Sequence, residues 1–234
     1  MTLMSRLAAL TGVAVLLAAC AGAPPVQDKQ DSQEAREVAA PQPALPDSEY
    51  RRLLMEAQRL SFTLDFDDLR RAYSESEEYN PYGGVRLSGL PEAYQSVEQA
   101  DYERCLSFVD DVLVNNYMSL EAHMIGIVCS GRSAKHERED RHRYMVDGLM
   151  DSIERSGDGR SQESAYHTIT TSELRAFVRL KGLQVLDQSI VYDQQGVYDK
   201  MQVRDPESGL EYPLFFNVSQ QFAHSMESEN ASLE

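Results

Sequence analysis

The hydrophobic period of this chain changes once, near Gly182, and that change limits the folds open to it. Before Gly182, apolar residues recur every three to four positions, the spacing of an amphipathic helix. SEYRRLLMEAQRL carries Tyr50, Leu53, Leu54, Ala57 and Leu60 on one face. LDFDDLRRAYSES does the same with Phe66, Leu69 and Tyr73, with acids in its first turn and Arg70 and Arg71 later, as the helix dipole prefers. YERCLSFVDDVLVNN repeats Tyr102, Cys105, Leu106, Val109 and Leu113. SLEAHMIGIVCSG opens on Ser119, a good N-cap, and stops at Gly131. A further helix is expected over about 134–155, and TTSELRAFVRLKG shows a capping box, Thr170 with Glu173. The stretch EYNPYGGVRLSGLP is rich in turn residues and should be irregular.

After Gly182 the period is two. Val197, Met201 and Val203 alternate with polar neighbours, and so do Leu210, Tyr212, Leu214, Phe216 and Val218. With LQVLDQSIVYD before them they predict three strands, separated by DQQG and DPESG turns. Helices followed by strands make an α+β domain: a helical part containing a long hairpin, then a small antiparallel three-stranded β-meander.

The first nineteen residues stand apart. Arg6 and the amino terminus precede an apolar run from Leu7 to Ala19. As a helix this run spans roughly 20 Å, too short for a bilayer core of about 30 Å, so it reads as a secretory signal. It ends in Leu17-Ala18-Ala19-Cys20, which resembles the bacterial lipobox. That resemblance implies cleavage before Cys20 and acylation of its thiol and new amino terminus, and several acyl chains anchor stably. Ala21 stands where an inner-membrane retention signal has aspartate, so an outer-membrane anchor is expected. Residues 21–47 hold five of the nine prolines and no aromatic residue, so they cannot build a core and read as a tether. Residues 48–218 are expected to form a single domain, and 219–234 a frayed polar tail.

The formal net charge is −16, and Arg6 is the one charged side chain in residues 1–19, so maturation leaves the chain more acidic still. Phosphate recognition needs clustered Lys and Arg, so nucleic-acid binding is excluded, and so is a polybasic membrane contact. The contacts expected are the membrane, through the N-terminal lipid, and a protein or peptide partner in the envelope.

Two resemblances bear on this. The hairpin from Tyr102 to Gly131 resembles one tetratricopeptide-type unit, with Cys105, Val112, Ala122 and Gly126 near its small or apolar positions. More broadly, Tyr73, Tyr79-Asn80-Pro81-Tyr82, Ala122-His123, His142, Gly148-Leu149, Ser152-Ile153, Ser156-Gly157-Asp158-Gly159, Glu173, Gly182, Tyr198-Asp199 and Phe215-Phe216-Asn217 are similar to the family called domain of unknown function 4919. That resemblance implies a secreted or lipid-anchored bacterial protein and no particular activity.

Chemical motifs are sparse. SGDGRSQES, 156–164, lacks the alternating ligands and distal Glu of a calcium loop, and an Asp-capped tight turn explains it more simply. HEREDRH, 136–142, pairs His136 with Asp140 and Glu139 with His142 at helical spacing, but the pairs point in different directions, and a solvated face is the simpler account. There is no nucleophile elbow, P-loop or dinucleotide fingerprint, hence no expected cofactor or metal. A pocket lined by His123, His142, Asp158 and Asp199 is the one catalytic arrangement to consider. Both histidines should face inward, since His142 continues the stripe Val146, Leu149, Ile153 and His123 lies between Leu120 and Ile127.

Cys105 and Cys129 lie twelve residues either side of a turn centred near Tyr117, hence at one height in an antiparallel hairpin. A disulfide between them is expected if both face the seam. The function these observations favour is a non-enzymatic envelope binding or scaffolding module. The alternative is an envelope hydrolase or metal-dependent enzyme using the His/Asp cluster.

Overall fold

The computed structural model describes residues 48–82 and 89–231; the signal, Cys20 and the tether lie outside the described residues. Six helices come first: α1 Glu49–Gln58, α2 Phe66–Ser74, α3 Leu90–Glu98, α4 Tyr102–Asn115, α5 Leu120–Arg132 and α6 His136–Arg155. A two-residue strand, β1 Tyr166–His167, precedes α7 Thr171–Leu180, then β2 Gln184–Tyr192, β3 Val197–Arg204, β4 Glu211–Asn217 and α8 Ser219–Ala231. The domain is α+β, as the change of period implies.

The sheet corrects the expectation in one respect. Strands β2, β3 and β4 form the antiparallel meander, but β1 adds a fourth, parallel member, in the order β1-β4-β3-β2. Tyr166 pairs with Phe216 and His167 with Asn217, and the turn before β1 extends the ladder through Phe215 N donating to the Gly159 carbonyl at 2.8 Å. The turns at 193–196 and 205–209 are closed by Asp193 and Asp205, whose carboxylates accept backbone N–H groups two residues on.

Two further corrections concern helices. α3 begins inside the stretch expected to be irregular. Gly89 precedes it at φ +129, and a Cβ there would come 3.0 Å from Val112 and 3.1 Å from the Phe108 carbonyl. Pro91 sits in the first turn, and the Glu92 carboxylate accepts from Gly89 N. The signal was present in Gly-Leu-Pro-Glu. The residues from 219 form α8 rather than a frayed tail. Ser219 Oγ accepts from Val197 N, and buried Gln221 donates to the carbonyl and hydroxyl of Thr168.

Buried side chains form two clusters. The larger joins α1, α2, α6, α7 and the sheet around Leu69, Tyr73, Leu149, Phe177, Met201 and Phe216. The smaller joins α3, α4 and α5 around Leu90, Leu106, Val109 and Ile125. Cys105 and Cys129 lie inside it, bonded to one another with Cα atoms 6.3 Å apart. That is shorter than the usual 8–10 Å between helix axes, because both side chains point into the seam.

One polar group stands inside the larger cluster. Arg70, on α2, meets Glu173, on α7, through two hydrogen bonds of 3.1 Å, with both side chains buried. The guanidinium also donates to Ser152 Oγ at 3.0 Å and the His167 carbonyl at 2.6 Å. Glu173 Oε2 accepts from Ile169 N at 2.7 Å. The expected capping box is therefore half made: Thr170 Oγ1 accepts from Glu173 N, but the carboxylate is committed to Arg70 and Ile169.

Candidate ligand-binding site

His123 on α5 and His142 on α6 both face inward, as their stripes require, and both are buried. Their Nδ1 atoms are 3.0 Å apart, and His123 Nε2 is 2.9 Å from the Tyr117 carbonyl. A carbonyl only accepts, so His123 Nε2 carries a proton. Neutral His123 then has a bare Nδ1, which accepts the Nδ1–H of His142, and His142 keeps a lone pair on Nε2. Burial lowers His123 from the ordinary 6.5 to about 3, with repulsion from His142 added. Burial lowers His142 to about 4, with help from Arg138 and Arg141. The pair is neutral at pH 7. Gly126 makes room for it, since a Cβ there would fall 2.6 Å from His142 Nε2.

This pair carries a pH prediction. Unfolded histidine titrates near 6.5, above the values in the fold, so the unfolded chain binds protons first as pH falls. Stability is therefore present above 6.5 and is lost as pH drops through about 4 and then about 3. Each group contributes up to about 1.4 kcal/mol per pH unit in that window. His142→Ala should be less stable at pH 7.5 and show a shallower loss between pH 6.5 and 5, measured by urea unfolding. Equal slopes for variant and wild type would refute the assignment.

The four residues of the catalytic cluster do not assemble. Asp158 lies exposed in the 156–164 turn, where its Oδ1 accepts from Arg160 N at 2.9 Å and Ser164 Oγ at 2.6 Å. It is the Asp cap of a tight turn. Asp199 lies on β3, where its Oδ2 accepts from Gln188 Nε2 at 2.6 Å, its Oδ1 is unpartnered, and burial raises its value. Only the two histidines meet. In the HEREDRH segment, His136 and Arg143 both address Glu139 on an outer face. Among the described residues no group of three or more His, Cys, Asp or Glu is placed to hold a metal ion.

A cavity of about 640 Å³ adjoins the histidine pair. Tyr50, Tyr73 and His142 are its buried residues, Leu54, Leu113, Val114 and Tyr117 line it, and Glu78, Asp110, Arg138 and Arg141 carry its charge. Tyr50 and Tyr73 stack at a tilt with ring centres 5.1 Å apart. Burial raises both hydroxyls, that of Tyr73 to about 12, so both remain protonated. Val114 is 86% exposed, an unusual state for valine at a cavity edge. These residues come from four separate parts of the sequence, so no single motif announced the cavity.

The Tyr79-Asn80-Pro81-Tyr82 run serves a different end. Tyr79 donates to the Ile169 carbonyl at 2.7 Å, Thr171 N donates to the Pro81 carbonyl at 3.0 Å, and Tyr82 donates to the Gln221 carbonyl at 3.0 Å. It ties the α2 end to α7 and α8. The model of a family described as Domain of unknown function (DUF4919) matches residues 46–227. No curated protein and no solved structure matches the chain.

Proposed function

The chain belongs to the DUF4919 family, and on that premise we propose that it is a lipid-anchored protein of the bacterial cell envelope whose domain binds a ligand or peptide and catalyses nothing. The observation that carries the binding part is the cavity beside the histidine pair. It has the size and the mixed apolar and polar lining of a small-ligand site. Its histidine is neutral and hydrogen-bonded to another histidine, with no nucleophile beside it. The test is amide chemical-shift mapping of the mature chain with a library of small amphiphilic compounds. Shifts clustered in 110–117 and 138–142 are expected; a cavity that takes no compound would end the reading.

The envelope part rests on Leu17-Ala18-Ala19-Cys20 after a short apolar run. Among the described residues no helix is long and apolar enough to cross a membrane. Cys20→Ser is expected to abolish both lipid attachment and cleavage at this site. Metabolic labelling with a fatty-acid analogue followed by membrane fractionation checks it, and a wild-type protein that takes up no label refutes it.

A further inference from the structure

We infer that the ligand of this cavity is a monoanionic carboxylate on an apolar, ring-sized body, with Arg141 receiving the carboxylate; this rests on the reading of the cavity as a binding site. The charges of the lining lead to it. Asp110 is paired with Arg138 at 2.6 Å, and Glu78 with Arg51 at 2.7 Å. Arg141 has no ion-pair partner among the described residues, yet it lines the cavity. Its positive charge is felt at Tyr117 and at His142, from the α4–α5 connection on one side and its own helix on the other. Of the four charged lining residues, Arg141 alone makes no ion pair among the described residues, and it is positive.

The sign excludes cationic ligands, because both lining carboxylates are already engaged. The count argues against a phosphate dianion, which would face one guanidinium on a chain whose net charge is −16. A carboxylate matches one guanidinium in charge and in bidentate geometry. The rest of the lining sets the body. Tyr50, Tyr73, Leu54, Leu113, Val114 and Tyr117 present rings and aliphatic groups. The Tyr50 and Tyr117 hydroxyls make no hydrogen bond among the described residues, so a ligand acceptor has two donors to meet. Such a carboxylate comes from a small free acid or from the C-terminus of a peptide ending in a large apolar residue.

Calorimetry and amide shifts on the mature chain carrying Cys20→Ser decide it, with 2-naphthoate against 2-naphthamide and N-acetyl-Ala-Phe against its carboxamide. Each acid should bind about tenfold tighter than its amide or better, the equivalent of 1.4 kcal/mol, with shifts in 113–117 and 138–142. Arg141→Gln should erase that preference, and Arg141→Lys should restore part of it. The tighter of the two acids identifies the source, free acid or peptide end, and either supports the class. Acid and amide binding equally, or a preference that survives Arg141→Gln, overturns the carboxylate assignment and leaves the cavity a binding site. If none of the four compounds binds, this assignment falls; the wider reading falls only if the library finds no occupant either.

Discussion

Glu173→Ala is expected to cost about 3–5 kcal/mol of folding stability, the penalty for stranding one member of a buried ion pair. Arg70 would keep its charge inside the larger cluster with both carboxylate contacts gone. Ser152 and the His167 carbonyl would remain as neutral partners, and Ile169 N would lose its acceptor. The same reasoning predicts rescue. Arg70→Met combined with Glu173→Leu removes both charges and keeps the volume, so the double variant should recover a large part of what the single one loses. Urea unfolding followed by circular dichroism measures both. A single variant losing under about 1 kcal/mol, or a double variant no better than the single, would show that the pair is solvated well enough to stand alone.

The second large effect is the Cys105–Cys129 bond. It closes a loop of sequence separation 24, for which chain entropy gives about 3 kcal/mol. Both residues are fully buried, so reductant should act only on the unfolded chain, and the reduced protein should lose about that much stability and unfold at a lower urea concentration. Protein purified without reductant, denatured and alkylated, is expected to carry no label at either position. Two alkyl groups would refute the bond, and an unchanged unfolding midpoint after reduction would refute its contribution.

Local features of the fold were legible because they are local. Ser119 and Thr170 cap the helices they were expected to cap. The alternation Met201, Val203 and Leu214, Phe216 marks the buried face of the meander. The inward turn of His123 and His142 and the level of the two cysteines follow from counting along a helix. What escaped was long-range. β1 has two residues and pairs in parallel with a strand some fifty positions on, so no period can reveal it. Arg70 looked like a charge placed for a helix dipole and Glu173 like half of a capping box; their partnership spans 103 residues. α8 carries almost no apolar stripe; beside Phe222, packed on the larger cluster, its docking uses Ser219 and Gln221, residues that read as polar surface. The cavity escaped for the same reason, since Tyr50 and Tyr73 read as helix core, Tyr117 as the centre of a turn and His142 as part of a different cluster. The catalytic cluster failed because chemistry-bearing residue types carry no information on distance; Asp158 caps its own turn and Asp199 is held by Gln188, apart from the histidines.

The two clusters differ in how much chain each must wait for. The smaller uses residues from Leu90 to Cys129 alone, whereas the larger runs from Tyr50 to Val218. A chain made amino terminus first completes the smaller one, disulfide partners included, while the strands are still unsynthesised. Phe177 on α7 must by contrast stay uncovered until Phe216 of the final strand arrives, because contacts distant in sequence come late. A stop codon ahead of the final strand would leave Phe177 without Phe216 and that face of α7 open to chaperones and proteases, while every residue of the smaller cluster was already present.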